Sequence, residues 1–250
     1  MRPALAALLL SSTLAPHLRA DDAADAKAVV EKALTATGRK ATDKDLAQTW
    51  KDKGTLSALG VKMTYTADWA FQSPDQYRFA LKGEFGGAAL TLLVVVSGEK
   101  AWESDGQKAR PVTGEKLDYV RGEAYQMWVT SLAPLVTEKG FTLATAKGKD
   151  VGGKPTAGVK VTRDKKPAVT LYFDKESGLL VKSETTVKDE FQQWKEVLDE
   201  AFYEDYKEVG GRKVFTKLRV VRDGKPLIES ALSDQQTSEK LDPKLFEPLK

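Results

Sequence analysis

The strongest constraint on the fold lies between Val61 and Gln72. There Val61, Met63, Tyr65, Ala67, Trp69 and Phe71 alternate with Lys62, Thr64, Thr66, Asp68, Ala70 and Gln72. Successive side chains of a strand point to opposite faces, so this period of two predicts a long strand with one face to bury. Pro74-Asp75 ends it, and Tyr77, Phe79 and Leu81 then alternate with Arg78, Ala80 and Lys82, which makes the pair a hairpin. A hairpin alone has nothing to bury its apolar face against, so the rest of the chain must supply more strands and a cover.

The strands follow in series. Leu90 to Val96 is continuously apolar, as in a strand covered on both faces, and Gly98-Glu99-Lys100 turns the chain into a short strand around Trp102, ended by Asp105-Gly106. Further strands are predicted at Phe141 to Thr145, Ala157 to Thr162, Ala168 to Phe173, Leu179 to Val187, Lys213 to Val221 and Leu227 to Leu232, with Gly- and Asp-rich turns between them. Glu190 to Tyr206 fits a helix through Phe191, Trp194, Ala201 and Phe202, or a strand over Val197 to Tyr203, and its periodicity does not choose. Two amphipathic helices are predicted. The first runs from Asp21 to about Lys40 on Ala26, Val29, Val30, Ala33 and Leu34, and ends near Gly38. The second lies between Thr113 and Gly140 on Leu117, Val120, Ala124, Met127, Trp128, Leu132, Leu135 and Val136, with Thr113 as its cap and Pro134 stopping or kinking it near Ala133. The tail from Asp242 to Leu249 carries Leu245, Phe246 and Leu249 and is expected to dock on the body. Nine or ten strands without intervening crossover helices argue for a mainly β (α+β) protein with an antiparallel sheet.

The N-terminus sets the expected compartment. Met1-Arg2 precedes an apolar run from Ala4 to Ala15, and Leu18-Arg19-Ala20 ends on a small residue, the pattern of a cleavable secretory signal peptide over residues 1–20. A membrane anchor needs about 20 apolar residues, and this run is interrupted by Pro16, His17 and Arg19. Residues 21–250 then form one domain, since no Pro/Gly/Ser-rich linker divides them. Cleavage removes Arg2 and Arg19 from the 39 basic residues, leaving 37 against 36 acidic ones. Those charges are interspersed, which argues against nucleic acid as a partner. With no cysteine in the chain, there is neither a disulfide nor a thiol for lipidation.

The residue inventory is equally restrictive about chemistry. The only histidine is His17, inside the expected signal peptide, so the mature chain lacks the Ser-His-Asp and Cys-His mechanisms and the usual zinc ligands. Glu103 with Asp105 and Glu204 with Asp205 are the carboxylate pairs on offer, and both lie beside turn signals, as solvated charges do. Gly148, Gly153 and Lys154 have the spacing of a phosphate-binding loop, but Pro155 stands where that loop needs a hydroxyl and a strand follows instead of a helix. The acidic Asp21, Asp22 and Asp25 match no calcium loop and suit a helix N-terminus. No catalytic residue, metal or cofactor is expected, and the chain reads as non-enzymatic.

Four stretches of the second half carry a resemblance: Leu171-Tyr172-Phe173-Asp174-Lys175-Glu176-Ser177-Gly178-Leu179-Leu180-Val181-Lys182, Tyr203 through Gly211, Arg222-Asp223-Gly224-Lys225-Pro226 and Asp242 through Pro248. In that order they resemble the LolA/LolB-like superfamily of extracytoplasmic lipoprotein-sorting proteins. The resemblance implies a strongly curved antiparallel sheet of about eleven strands, an unclosed half-barrel whose apolar concave face is covered by helices and receives lipoprotein acyl chains. The chain departs from it at Lys213-Val214-Phe215-Thr216-Lys217, where many relatives carry a proline, and its first half offers no lipid-contacting motif to match.

On this expectation the apolar cavity candidates are Trp69, Phe71, Tyr77, Phe79, Leu92, Val94, Trp102, Met127, Trp128, Leu171 and Phe173, each of which also suits an ordinary core. The expected function is an exported, periplasmic or otherwise extracytoplasmic carrier or binding protein for lipid or lipoprotein acyl chains, monomeric, with a membrane-bound partner protein as a further option. The alternative is an envelope sensor or structural module that binds a protein partner with the same half-barrel. The helix over Lys116 to Leu135 is either a movable lid over the sheet or a fixed cover.

Overall fold

The computed structural model describes residues 20–44 and 47–248. The expected signal peptide, up to residue 19, and Leu249 of the tail lie outside them. Helix α1 (Ala20–Ala36) buries Ala26, Val30, Ala33 and Leu34 on one stripe, at the three- and four-residue steps that put side chains on one face. Gly38 ends it at φ +72°, and a Cβ there would sit 2.7 Å from the carbonyl oxygen of Gly211, so only glycine fits.

A meander follows: β1 (Ala47–Ala58), β2 (Val61–Gln72), β3 (Gln76–Phe85), β4 (Ala88–Ser97), β5 (Lys100–Ser104) and β6 (Ala109–Pro111). Helices α2 (Gly114–Thr130) and α3 (Pro134–Thr137) then lead to a second meander. It comprises β7 (Phe141–Ala146), β8 (Asp150–Val151), β9 (Lys154–Arg163), β10 (Val169–Asp174), β11 (Leu180–Asp189), β12 (Lys195–Val209), β13 (Arg212–Arg222) and β14 (Lys225–Ser238). Every pairing is antiparallel, and the order is β6-β5-β4-β3-β2-β1-β14-β13-β12-β11-β10-β9-β7, with β8 on β9. The long-range pairing of β1 with β14, Leu56 opposite Ile228, fuses the two meanders into one sheet. That sheet is an unclosed, curved half-barrel with β6 and β7 at its edges, and α2 lies on its concave side against β4, β5, β10 and β11, while α1 covers β7 and β9.

Registers fix the faces. Trp69 stands opposite Phe79, and Phe79 opposite Val94; Phe71, Tyr77 and Val96 form the next row. These face the helices. Leu93, Val95 and Ala70 point the other way and are covered by the tail, whose 3-10 turn Pro243–Phe246 seats Phe246 against them. The tail is therefore what buries the second face of the apolar run at Leu93 to Val96, whereas Leu90, on the inward face at the start of the strand, is 37% exposed.

The structure adds β1, β6, β8 and β12 to the ten strands legible in the sequence and resolves Glu190 to Tyr206 as a 3-10 turn, Glu190–Gln192, followed by strand. The second helix stops at Thr130. Ser131 caps it, Leu132 adopts φ +68°, and Pro134 begins α3, where its missing N–H costs nothing. Thr113 occupies the N-cap position but its side chain makes no capping hydrogen bond, a correction to the expected role. The Gly148 to Lys154 segment is the β8–β9 hairpin, turning at Gly152 and Gly153 with positive φ. Among the described residues no helix is long and apolar enough to cross a membrane.

Candidate functional site

The concave face brings most of the predicted apolar set together. Phe71, Tyr77 and Val94 are buried against Val120 and Ala124 of α2, with Trp69, Phe79, Leu92, Met127 and Trp128 half-buried around them. Leu171 and Phe173 share that face but lie wholly within the packed core under α1 and α3, with Val159, Val161 and Val129. They are structural in this conformation. Trp102 does not join the set: it stands opposite Val95, on the outer face beside the tail. By sequence it is a candidate as one of the aromatic residues expected on one face of the sheet, whereas the register of β4 with β5 turns it outward and turns Ala101 and Glu103 inward.

The site also contains residues that the sequence did not single out. Strand β1 contributes Trp50, stacked on Trp69 with centroids 5.3 Å apart, and Leu56, packed with Met63, Tyr65, Ala67 and Leu81. Trp69 in turn touches Phe79 at 4.3 Å. The result is an aromatic and aliphatic floor across β1, β2, β3 and β4.

One end of the half-barrel opens this floor outward. The turns at Leu59-Gly60, Gly86-Gly87, Asp223-Gly224 and residues 190–194 all lie there, as the registers Ala58 to Val61, Phe85 to Ala88, Arg222 to Lys225 and Asp189 to Lys195 require. Of the six exposed large apolar residues among those described, Leu59, Val61, Leu90, Phe191 and Leu198 are at this end, and Val209 is at the other. Val61 and Leu90 continue the inward stripes of β2 and β4, so apolar surface runs without a break from the rim to Tyr65 and Val94. Scattered apolar residues need no explanation, but a contiguous patch does.

Besides the buried hydroxyl pair of Ser183 and Tyr203, polar groups enter the concave face at two places. Near the open end, Arg222 donates from Nε to Asp199 Oδ1 at 2.7 Å and from Nη2 to the Tyr119 hydroxyl of α2 at 3.3 Å, while Asp189 lies 3.6 Å from its other nitrogen. Glu123 of α2 accepts from the buried Tyr77 hydroxyl at 3.0 Å, and burial pushes its carboxyl up. Beside this network α2 is held to both flanks of the sheet, by Lys116 to Glu103 at 2.5 Å and by Lys188 to Glu115 at 2.5 Å. Glu103 is therefore an ion-pair partner: burial opposes its charge, yet Lys116 and Arg110 hold its carboxyl below the usual range. Asp105 is a turn residue accepting from the Gln107 amide, and Glu204 pairs with Lys217 and Arg219. Neither candidate acid pair forms a cleft of facing carboxyls.

The second polar group is Asp52 of β1, in the middle of the floor and 7% exposed. Trp69 Nε1 donates to its Oδ2 at 3.3 Å and the Tyr65 hydroxyl at 3.5 Å. Burial pushes its carboxyl up to about 6, against these two hydrogen bonds. The folded state thus holds this proton more tightly than the unfolded chain, and stability falls as pH rises from about 4 to about 6 and is then level. At ~1.4 kcal/mol per unit, the ionised side chain costs about 3 kcal/mol at neutral pH. Asp52→Asn is expected to raise stability at pH 7 by about 1 to 3 kcal/mol and to flatten the pH 4 to 6 slope, measured by urea unfolding across pH. An unchanged slope would refute the assignment.

A cavity of about 670 Å³ is lined by the outward Lys51, Asp68, Arg78, Lys207, Gln236 and Leu245 among others, and reaches Trp50 and Trp69 of the floor. It opens where β1 shifts register between Thr49 and Lys51 and where Asp205 and Asp234 adopt positive φ. Bulges of this kind bend a strand away from its neighbours. Its lining sets the charged Lys51, Asp68, Arg78, Lys207 and Asp234 among apolar residues, Ala70, Val209, Leu232 and Leu245.

No protein-family model matches the chain, and no curated protein sequence matches it. Solved structures do. The chain is similar to a DUF1329 family protein from Desulfovibrio piger, 13% identical, with 90% of this chain and 97% of that one covered at a TM-score of 0.58. It is also similar to a LolA superfamily protein from Nitrosomonas europaea, 10% identical, with 89% and 97% covered at 0.55. At such identities the likeness speaks to architecture and not to activity. The ordered motifs of the second half and the unclosed fourteen-stranded half-barrel agree with these matches, and the chain has the LolA-like fold.

Proposed function

We propose that this protein is a non-catalytic, extracytoplasmic binding or carrier protein for lipid or lipoprotein acyl chains, which it holds on the concave floor of the half-barrel. The observation that carries this reading is the unbroken apolar surface from the exposed Val61 and Leu90 at the rim to the half-buried Leu56, Trp69, Phe79 and Leu92 inside. Such a surface takes up an alkyl chain by apolar burial, at about 0.8 kcal/mol per methylene removed from water. The likeness to a LolA superfamily protein supports the same role, as does the leader-like sequence at residues 1–20, which would place the mature chain outside the cytoplasm. On this reading the carrier works as a monomer and meets a membrane-bound partner only to exchange its ligand. Purified from cell envelopes, the protein is expected to retain lipid and, once delipidated, to bind a fluorescent fatty-acid probe, with Leu92→Glu weakening the probe by about ten-fold or more. Protein that carries no lipid and binds no probe would overturn the proposal.

A second reading, an envelope sensor or structural module for a protein partner, is favoured by the outer cavity alone. Its polar lining, Lys51, Asp68, Arg78 and Lys207, is of the kind that exchanges hydrogen bonds with a protein surface. Substitutions in that lining should leave probe binding unchanged under the first reading and abolish partner capture under the second.

A further inference from the structure

The concave floor is apolar except at one point, and that point is incomplete. Asp52 Oδ2 receives the Trp69 and Tyr65 hydrogen bonds, but Oδ1, equally buried, has no hydrogen-bond partner. No lysine or arginine among the described residues pairs with it, and the charge that acts on it is that of another carboxylate, Asp68. Its neighbours across β1 are Ala67 on one side and Leu232 on the other. The Ser230 hydroxyl, next to Tyr65 on the adjoining strand, is likewise buried without a well-formed hydrogen bond. When the carboxyl is ionised, Oδ1 is an acceptor with nothing to accept from. It is unfavourable for the fold, and a charge of opposite sign brought to it would relieve the penalty.

We propose that Asp52 is the polar anchor of the ligand site, selecting amphiphiles whose head group is a primary ammonium. Three features point to this class. A carboxylate oxygen without a partner requires a hydrogen-bond donor, which excludes carboxylate heads. The missing positive charge favours an ammonium over a neutral hydroxyl. The rings of Tyr65, Trp69 and Phe79 beside the carboxyl add the aromatic surroundings in which ammonium groups are held. From Asp52 the apolar wall continues along β1 through Leu56 to the rim, six residues or about 20 Å of extended strand, a path for the alkyl chain with its head inward and its tail toward the open end.

This inference rests on the carrier reading, and one experiment separates the two. Delipidated full-length mature protein is titrated near neutral pH with dodecylammonium, dodecanol and dodecanoate, each below its micellar concentration, for wild type and Asp52→Asn. Asn keeps the shape and one acceptor but loses the charge, and its stability is expected to be no lower than that of the wild type. Wild type should bind dodecylammonium at least about ten-fold more tightly than dodecanoate, with dodecanol between, and Asp52→Asn should reduce the difference to about three-fold or less. Equal affinity for the three, tighter binding of dodecanoate, or a preference that survives in Asp52→Asn overturns the anchor while leaving the carrier reading intact. That result would mean that an internal water, bridging Asp52 and Ser230, completes the site without a ligand. Failure of all three amphiphiles to bind overturns both.

Discussion

Replacing Arg222 by methionine is expected to destabilise the protein by about 3 to 5 kcal/mol, the range found when one partner of a buried ion pair is removed. The guanidinium is 8% exposed and is the only cation reaching Asp199 among the described ion pairs. Asp189 has other support, since its oxygens accept from the Phe191 amide and the Gln192 side chain. Among the described side-chain hydrogen bonds Asp199 has only that from Arg222, and burial already pushes its carboxyl up in the presence of that cation. Methionine retains much of the aliphatic stem, so the loss reports the stranded carboxylate and not a cavity. Asp199→Asn in the same background should return most of the lost stability, because the orphaned charge then disappears. Chemical unfolding of the two single variants and the double variant at neutral pH measures this. A loss below about 1 kcal/mol for Arg222→Met, the scale of an exposed pair, would mean that water reaches this end of the half-barrel freely.

The same buried charges explain where the sequence misleads. Strand β2 is legible because every inward position from Met63 to Phe71 is apolar. Strand β1 pairs with it along its whole length, yet its inward positions read Trp50, Asp52, Gly54 and Leu56, so an acid and a glycine erase the alternation. Gly54 is there because β14 passes so close that a Cβ would lie 2.3 Å from the Glu229 carbonyl oxygen. Strand β12 is disguised in the same way, with Asp199 inward between Val197 and Ala201 and a positive φ at Asp205 interrupting the regular strand before Tyr206. Thus the two long strands that pattern reading missed or left open, β1 and β12, each carry an acid into the concave face. The second helix, the hairpins and the docking tail followed from periodicity and turn residues because they obey local rules. Trp102 shows the limit of that approach, since its face depends on the register of β4 with β5, which no local rule supplies.

Trp128→Ala tests whether α2 is a lid or a fixed strut, and the contacts around the ring favour the strut. The indole packs edge-on to Phe141 at 4.8 Å and beneath the Arg163 guanidinium at 4.7 Å, joining the core under α1 to the cluster on β2, β3 and β4. One turn away, Tyr125 and Val129 are buried, and the helix end is held by Arg39 donating to the Ser131 carbonyl at 2.9 Å. The N-terminal turn is tied to both flanks of the sheet through Lys116 and Glu115. A lid must be drawn from the least stable part of a structure, and a helix anchored at both ends and along its middle is not that part. Truncation should therefore cost about 3 kcal/mol, the lower end of the range for an aromatic side chain because the ring is only half-buried. Ligand affinity in the residual folded protein should change little, since Trp128 lies away from the rim through which the chain enters. Amide exchange gives the independent measure: the amides of α2 should exchange as slowly as those of β2 and β3, with or without bound fatty-acid probe. If α2 exchanges faster than these strands and slows when ligand is added, the helix moves, and the ion pairs at its N-terminus are then the latch that has to open.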